Sequence, residues 1–87
     1  MNNILSINKE VSSRFRARRK EAKLSQTELA AKSGVSLGSL KRFENSGEIS
    51  LTSLVKLAFA LGYENDFSHL FERKNYQSLD EVINETK

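Results

Sequence analysis

"SQTELAAKSGVSLGSLKRFE", residues Ser25 to Glu44, is the stretch on which the fold turns. Ser25 followed three residues later by Glu28 is a capping box: the hydroxyl accepts an amide proton of the first turn while the carboxylate reaches back to the cap. A helix therefore starts at Gln26, turns Leu29, Ala30 and Ser33 inward, and is stopped by Gly34, which tolerates a left-handed backbone. Val35 plugs the corner, Ser36 caps the next helix, and Leu40 and Phe43 form that helix's inward edge. The pattern predicts two short helices joined by a tight glycine turn, with Ala30 small where the second helix must come close.

Upstream, "EVSSRFRARRKEA" places Val11, Phe15, Arg19 and Ala22 on one helical face. An arginine thus enters an apolar stripe, either with its stem snorkelling to the surface or buried against a carboxylate. Downstream, "NSGE" breaks the chain and Ser50 caps "LTSLVKLAFALG", apolar on nearly every side and expected to be central and buried. Gly62 ends it. "DFSHLF" predicts a short fifth helix anchored by Phe67, Leu70 and Phe71. The chain divides into an N-terminal arm, residues 1–8, whose "ILSI" either pairs as a strand across a dimer or stays loose; a domain at 9–72; and an acidic tail at 73–87, with a second capping box at Ser78 and Glu81.

With 87 residues, 38% of them hydrophobic, the chain supports one core and no second domain. The absence of proline, the abundance of helix formers and the lack of alternating strands give an all-α class. There is no cysteine, and the N-terminus has neither the basic start nor the apolar run of a secretory signal, so a cytoplasmic setting is expected. No apolar run approaches the roughly 20 residues that a membrane helix needs. Charge is uneven: residues 1–60 hold eleven Lys/Arg against five Asp/Glu, residues 61–87 three against six. A basic body suits a polyanionic partner. Catalysis is not expected, because the single histidine, His69, has no cysteine or clustered carboxylates near it in sequence, and the four glycines are isolated. No metal and no cofactor are expected.

Residues Gln26 to Glu44, with Leu24 and Ser25 before them and "SLTSLVKLAFALG" after, resemble the helix-turn-helix of the phage-repressor and Cro superfamily, the XRE family. The resemblance runs from about Val11 to Phe71. It implies a five-helix, lambda-repressor-like bundle whose third helix enters the DNA major groove. It also implies a partner for the misplaced arginine: family members commonly pair an arginine of the first helix with a glutamate ending the third, here Arg19 and Glu44. Both lie beside apolar faces, where neither charge can be buried alone without a large cost.

In such a motif the first turns of the second helix face base edges, which assigns Leu37, Gly38, Lys41 and Arg42 to the interface with Ser36 and Ser39 beside the backbone. Arg42 offers a bidentate pair to guanine O6 and N7, and Lys41, a flexible point charge, a phosphate contact. Leu37 either meets a thymine methyl or shields the turn. Gly38 either lets the helix sit deeper or leaves specificity to Arg42 and DNA shape. The family pattern usually has polar residues at both positions. The amides opening the helix at Gln26, with the Gln26 side chain, Thr27, Asn45, Gly47 and the amides near Thr52, complete the expected DNA contacts. Most of Arg14, Arg16, Arg18, Lys20 and Lys23 read as a solvated face. The expected function is a sequence-specific regulator, a repressor, binding a palindromic double-stranded operator as a homodimer, with Tyr63, Phe67, Phe71 and Phe59 as candidate dimer contacts. A looser similarity, over "GVSLGSLKRFENSGEISLTSLVKLAFALG" and "YQSLDEV", is to HipB-type antitoxins, and implies a HipA-like kinase toxin as partner. The alternatives are a free-standing phage-type repressor and a module that mainly binds protein.

Overall fold

The computed structural model describes residues 3–75, and the second capping box at Ser78 and Glu81 lies outside them. Among the described residues there are four α-helices, α1 (Ile4–Glu21), α2 (Gln26–Ser33), α3 (Leu37–Ser46) and α4 (Leu51–Leu61), followed by a 3₁₀ turn at Glu64–Phe67. Each helix starts on a side-chain cap. Asn3 Oδ1 accepts the Ser6 N–H at 2.8 Å while Ser6 Oγ accepts the Asn3 N–H at 3.0 Å. Ser25 and Glu28 exchange the same pair at 3.0 and 2.8 Å, and Ser36 and Ser50 cap Ser39 and Ser53, each at 3.1 Å.

The core is small. Leu29, Val35, Leu40, Phe43 and Leu57 are buried together, and Phe15, Leu24, Ala30, Ile49, Leu54, Ala60 and Leu61 pack around them. α2 lies against both α3 and α4, so the tight turn at Gly34 (φ +78°) folds the two helices onto a shared apolar cluster. α1 lies along α3. The face it uses is Asn8, Ser12, Phe15 and Arg19, at spacings of four, three and four, with Ser12 and Arg19 buried. The Phe15 ring meets that of Phe43 edge to face, centroids 5.4 Å apart. A β-carbon on Gly47 would stand 2.7 Å from Asn8 Cβ and 2.9 Å from the Asn8 carbonyl atoms, so the turn closing α3 touches the backbone of α1.

Four expectations need correction. Residues 4–8 are not an arm but the first turns of α1, because the Asn3 and Ser6 capping box starts the helix earlier than the apolar pattern does. The α1 stripe is narrower than its hydropathy implies: Val11 and Ala22 face solvent, and polar Ser12 takes the inward place. The five-helix count is not met. From Glu64 to Glu72 the turns close by short i to i+3 bonds, Ser68 N–H to the Asn65 carbonyl at 3.1 Å and Leu70 N–H to that of Phe67 at 3.2 Å, with no side-chain cap at Tyr63. Bonds of this kind make short 3₁₀ turns rather than an α-helix, and Phe71 takes a left-handed φ of 61°. Leu70 and Phe71 are consequently exposed rather than anchors. Lastly, α4 is buried on one side only: Leu57 and Ala58 point inward while Leu51 and Phe59 lie on the surface.

Candidate nucleic-acid interface

α3 is two-faced. Leu40 and Phe43 lock one side into the core; Gly38, Lys41, Arg42 and Asn45, spaced three, one and three, are exposed on the other. Leu37 is half-buried at the corner, which places it against the turn more than in solvent. Ser36 and Ser39 are exposed beside it, their hydroxyls 2.9 Å apart. Nothing lies within 4 Å of where a β-carbon on Gly38 would stand.

What sets the angle of this helix is an ion pair. Arg19 Nε and Nη2 donate to Glu44 Oε2 and Oε1 at 2.7 and 2.8 Å, with side chains 8% and 3% exposed. Arg19 Nη1 also donates to the Leu24 carbonyl at 2.9 Å, and Gln26 Nε2 to Glu44 Oε1 at 3.0 Å. The hydrogen bonds to Glu44 hold the Arg19 guanidinium above its ordinary pKa, burial pulling the other way, so the arginine stays charged. One carboxylate thus ties the end of α1, the start of α2 and the end of α3 together. Arg16 Nε approaches the same carboxylate at 3.9 Å from the solvent side.

The remaining candidates are not all presented outward. The Gln26 amide is committed to Glu44, and at the same helix terminus the Glu28 carboxylate already accepts the Ser25 N–H, which with the Ser25 hydroxyl holds Glu28 below the usual carboxylate range. The Gly47 N–H is likewise used, donating to the Phe43 carbonyl at 2.8 Å, and Gly47 is packed on Asn8 rather than open to a phosphate. Thr27 and Thr52 are exposed in the first turns of α2 and α4, where helix amides carry partial positive charge. Arg42 forms an ion pair with Glu48, a residue the sequence reading passed over; the only sequence signal was an opposite charge just across the glycine turn. His69 Nδ1 lies 2.6 Å from Glu72 Oε2 on the surface. No three His, Cys, Asp or Glu side chains among the described residues come together as a metal site.

A helix-turn-helix family model matches residues 15–65. The chain belongs to the helix-turn-helix family. That match takes in α2, α3 and α4 whole and the part of α1 that carries Phe15 and Arg19. A comparison with curated proteins returns no match. The helix-turn-helix chain is accordingly a DNA-binding transcription regulator, and no helix among its described residues is long and apolar enough to cross a membrane.

Proposed function

We propose that this protein is a repressor that binds a palindromic operator as a homodimer, α3 of each copy lying in the major groove. The observation that carries the reading is the division of α3: its inner face is clamped by the core and by Glu44, while Gly38, Lys41, Arg42 and Asn45 are exposed on its outer face, Arg42 paired there with Glu48. A rigidly held helix with two cations and an amide on its outer face is suited to enter a groove lined by phosphates and base edges. Arg42 supplies base readout and Lys41 a phosphate contact. Arg42→Ala is expected to cost about 1 to 3 kcal/mol and to relax preference at one base pair, whereas Lys41→Ala weakens all duplexes alike and lowers the salt slope by about 1. Fluorescence anisotropy with a selected duplex and a scrambled one of equal length measures both. Equal losses on the two duplexes for Arg42→Ala would remove its reading role.

Dimerisation is supported by the apolar surface around the end of α4. Phe59 and Phe71 are 63% and 94% exposed, Tyr63 is exposed, and a largely apolar groove of about 510 Å³ runs between α1 and α4, lined by Val11, Phe15, Leu54, Leu61, Phe67 and Leu70. Exposed aromatic side chains and an apolar groove suit a protein partner. They also favour a second reading, in which a HipA-like kinase is the protein partner and the chain acts as its antitoxin. Co-expression with a kinase encoded beside this reading frame separates the two: a stable complex supports the antitoxin role, and a dimer that ignores the kinase leaves the free-standing repressor.

A further inference from the structure

Arg42 is the one arginine on the outer face of α3, and in the free protein its Nη2 is engaged by Glu48 Oε1. The carboxylate reaches it because the turn between them is fixed. Ser46 Oγ donates to the Arg42 carbonyl at 2.8 Å and accepts the Glu48 N–H at 3.3 Å, bracing the backbone of Glu48 against the last turn of α3. Gly47, at φ +83° and in contact with Asn8, holds the same turn from the α1 side. The two side chains remain 70% and 59% exposed, so the pair sits at the surface that would meet DNA rather than in the core.

From this arrangement we infer that Glu48 is a positioning residue for sequence readout, an inference that rests on the proposed binding of DNA by α3. A guanidinium has five donors, and a single carboxylate oxygen leaves most of them available. Phosphate and guanine compete for these donors with the same forked geometry. They differ in charge. A phosphate approaching Arg42 brings its negative charge beside that of Glu48, whereas guanine O6 and N7 belong to a neutral base and meet no such repulsion. Glu48 therefore discounts backbone contacts by Arg42 and leaves its base contact in place. The consequence is discrimination: weaker binding to arbitrary DNA at little loss on the operator. Ser46 and Gly47 act through Glu48 by keeping it within reach.

Glu48→Gln in the full-length chain tests this. The probes are a duplex that the wild-type chain selects from a randomised library and a scrambled duplex of the same length, each titrated across a range of salt. Expected is binding to the scrambled duplex about three- to tenfold tighter, a salt slope larger by about 1 as Arg42 turns to phosphate, and a smaller change on the selected duplex, so that the ratio between the two falls. In an Arg42→Ala background the same substitution is expected to have little effect on either duplex. Glu72→Gln, which changes net charge equally at a distant exposed site, serves as the reference. A gain of the same size with and without Arg42, or one matched by Glu72→Gln, would show that Glu48 acts only as one more negative charge and would overturn the inference while leaving DNA binding intact. Failure of the wild-type chain to bind any duplex at low salt is a different result: it removes the DNA reading itself, and this inference with it.

Discussion

At Glu44 a carboxylate almost without access to water meets a guanidinium in the same condition, and three helices depend on the meeting. Truncating one side strands the other charge, so Glu44→Ala is expected to lower stability by about 3 to 5 kcal/mol in urea melts. Replacing both partners by apolar residues of similar bulk, Arg19→Met with Glu44→Met, should restore most of that loss, since the desolvation cost disappears along with the attraction. If the double variant is no more stable than Glu44→Ala, the pair contributes more than mutual neutralisation. At this scale the sequence was informative where burial needs a partner: an arginine on an inward face either snorkels or meets an anion, and the family resemblance pointed to Glu44. The sequence was silent on Glu48, because nothing compels an exposed charge to find a mate, and it gave the Gln26 side chain to a phosphate, although that amide has equally good chemistry facing Glu44.

The helices began where their caps said they would: Ser25, Ser36 and Ser50 are legible because a hydroxyl in that position has few other uses. Two elements escaped. The inward face of α1 includes Asn8 and Ser12, polar residues that a hydropathy pattern passes over, and the described turns after Gly62 close by i to i+3 bonds and leave Leu70 and Phe71 exposed. The caps themselves give a pH signature. Because Glu28 has a carboxyl pKa lowered by its bonds to Ser25, it contributes to stability at pH above the unfolded carboxyl's value and loses that contribution as pH falls through its own lower one. Thermal melts of Glu28→Gln should therefore lack this part of the acid-side decline seen in the wild type. The turns closing α2 and α3 provide a paired comparison. Gly34 and Gly47 share a left-handed backbone, so alanine strains both by about 1 to 2 kcal/mol. At Gly34 the added methyl meets nothing, whereas at Gly47 it collides with the backbone of α1 at Asn8. Gly47→Ala should cost about 1 to 3 kcal/mol beyond Gly34→Ala in chemical denaturation, and equal losses would mean that α1 yields freely at its N-terminal turns.

For the molecule as a whole, the proposed homodimer has its candidate contacts in the exposed Phe59 and Phe71. Phe71→Glu combined with Phe59→Glu removes only exposed apolar surface from the monomer, so it should leave the helical content unchanged while shifting sedimentation toward the single chain. Affinity for a duplex carrying two half-sites should then fall by about 10² to 10⁴, the advantage of tethering, and affinity for a lone half-site should stay as it was. A dimer that survives both charges would move the interface elsewhere. One vacancy on α3 has a further use. Among the described residues nothing outside its own stretch of helix lies within 4 Å of a β-carbon at Gly38, so alanine there should firm the helix by about 0.5 to 1 kcal/mol. Exchanges at this one position therefore ask what the outer face of α3 contributes to binding while its scaffold is left untouched.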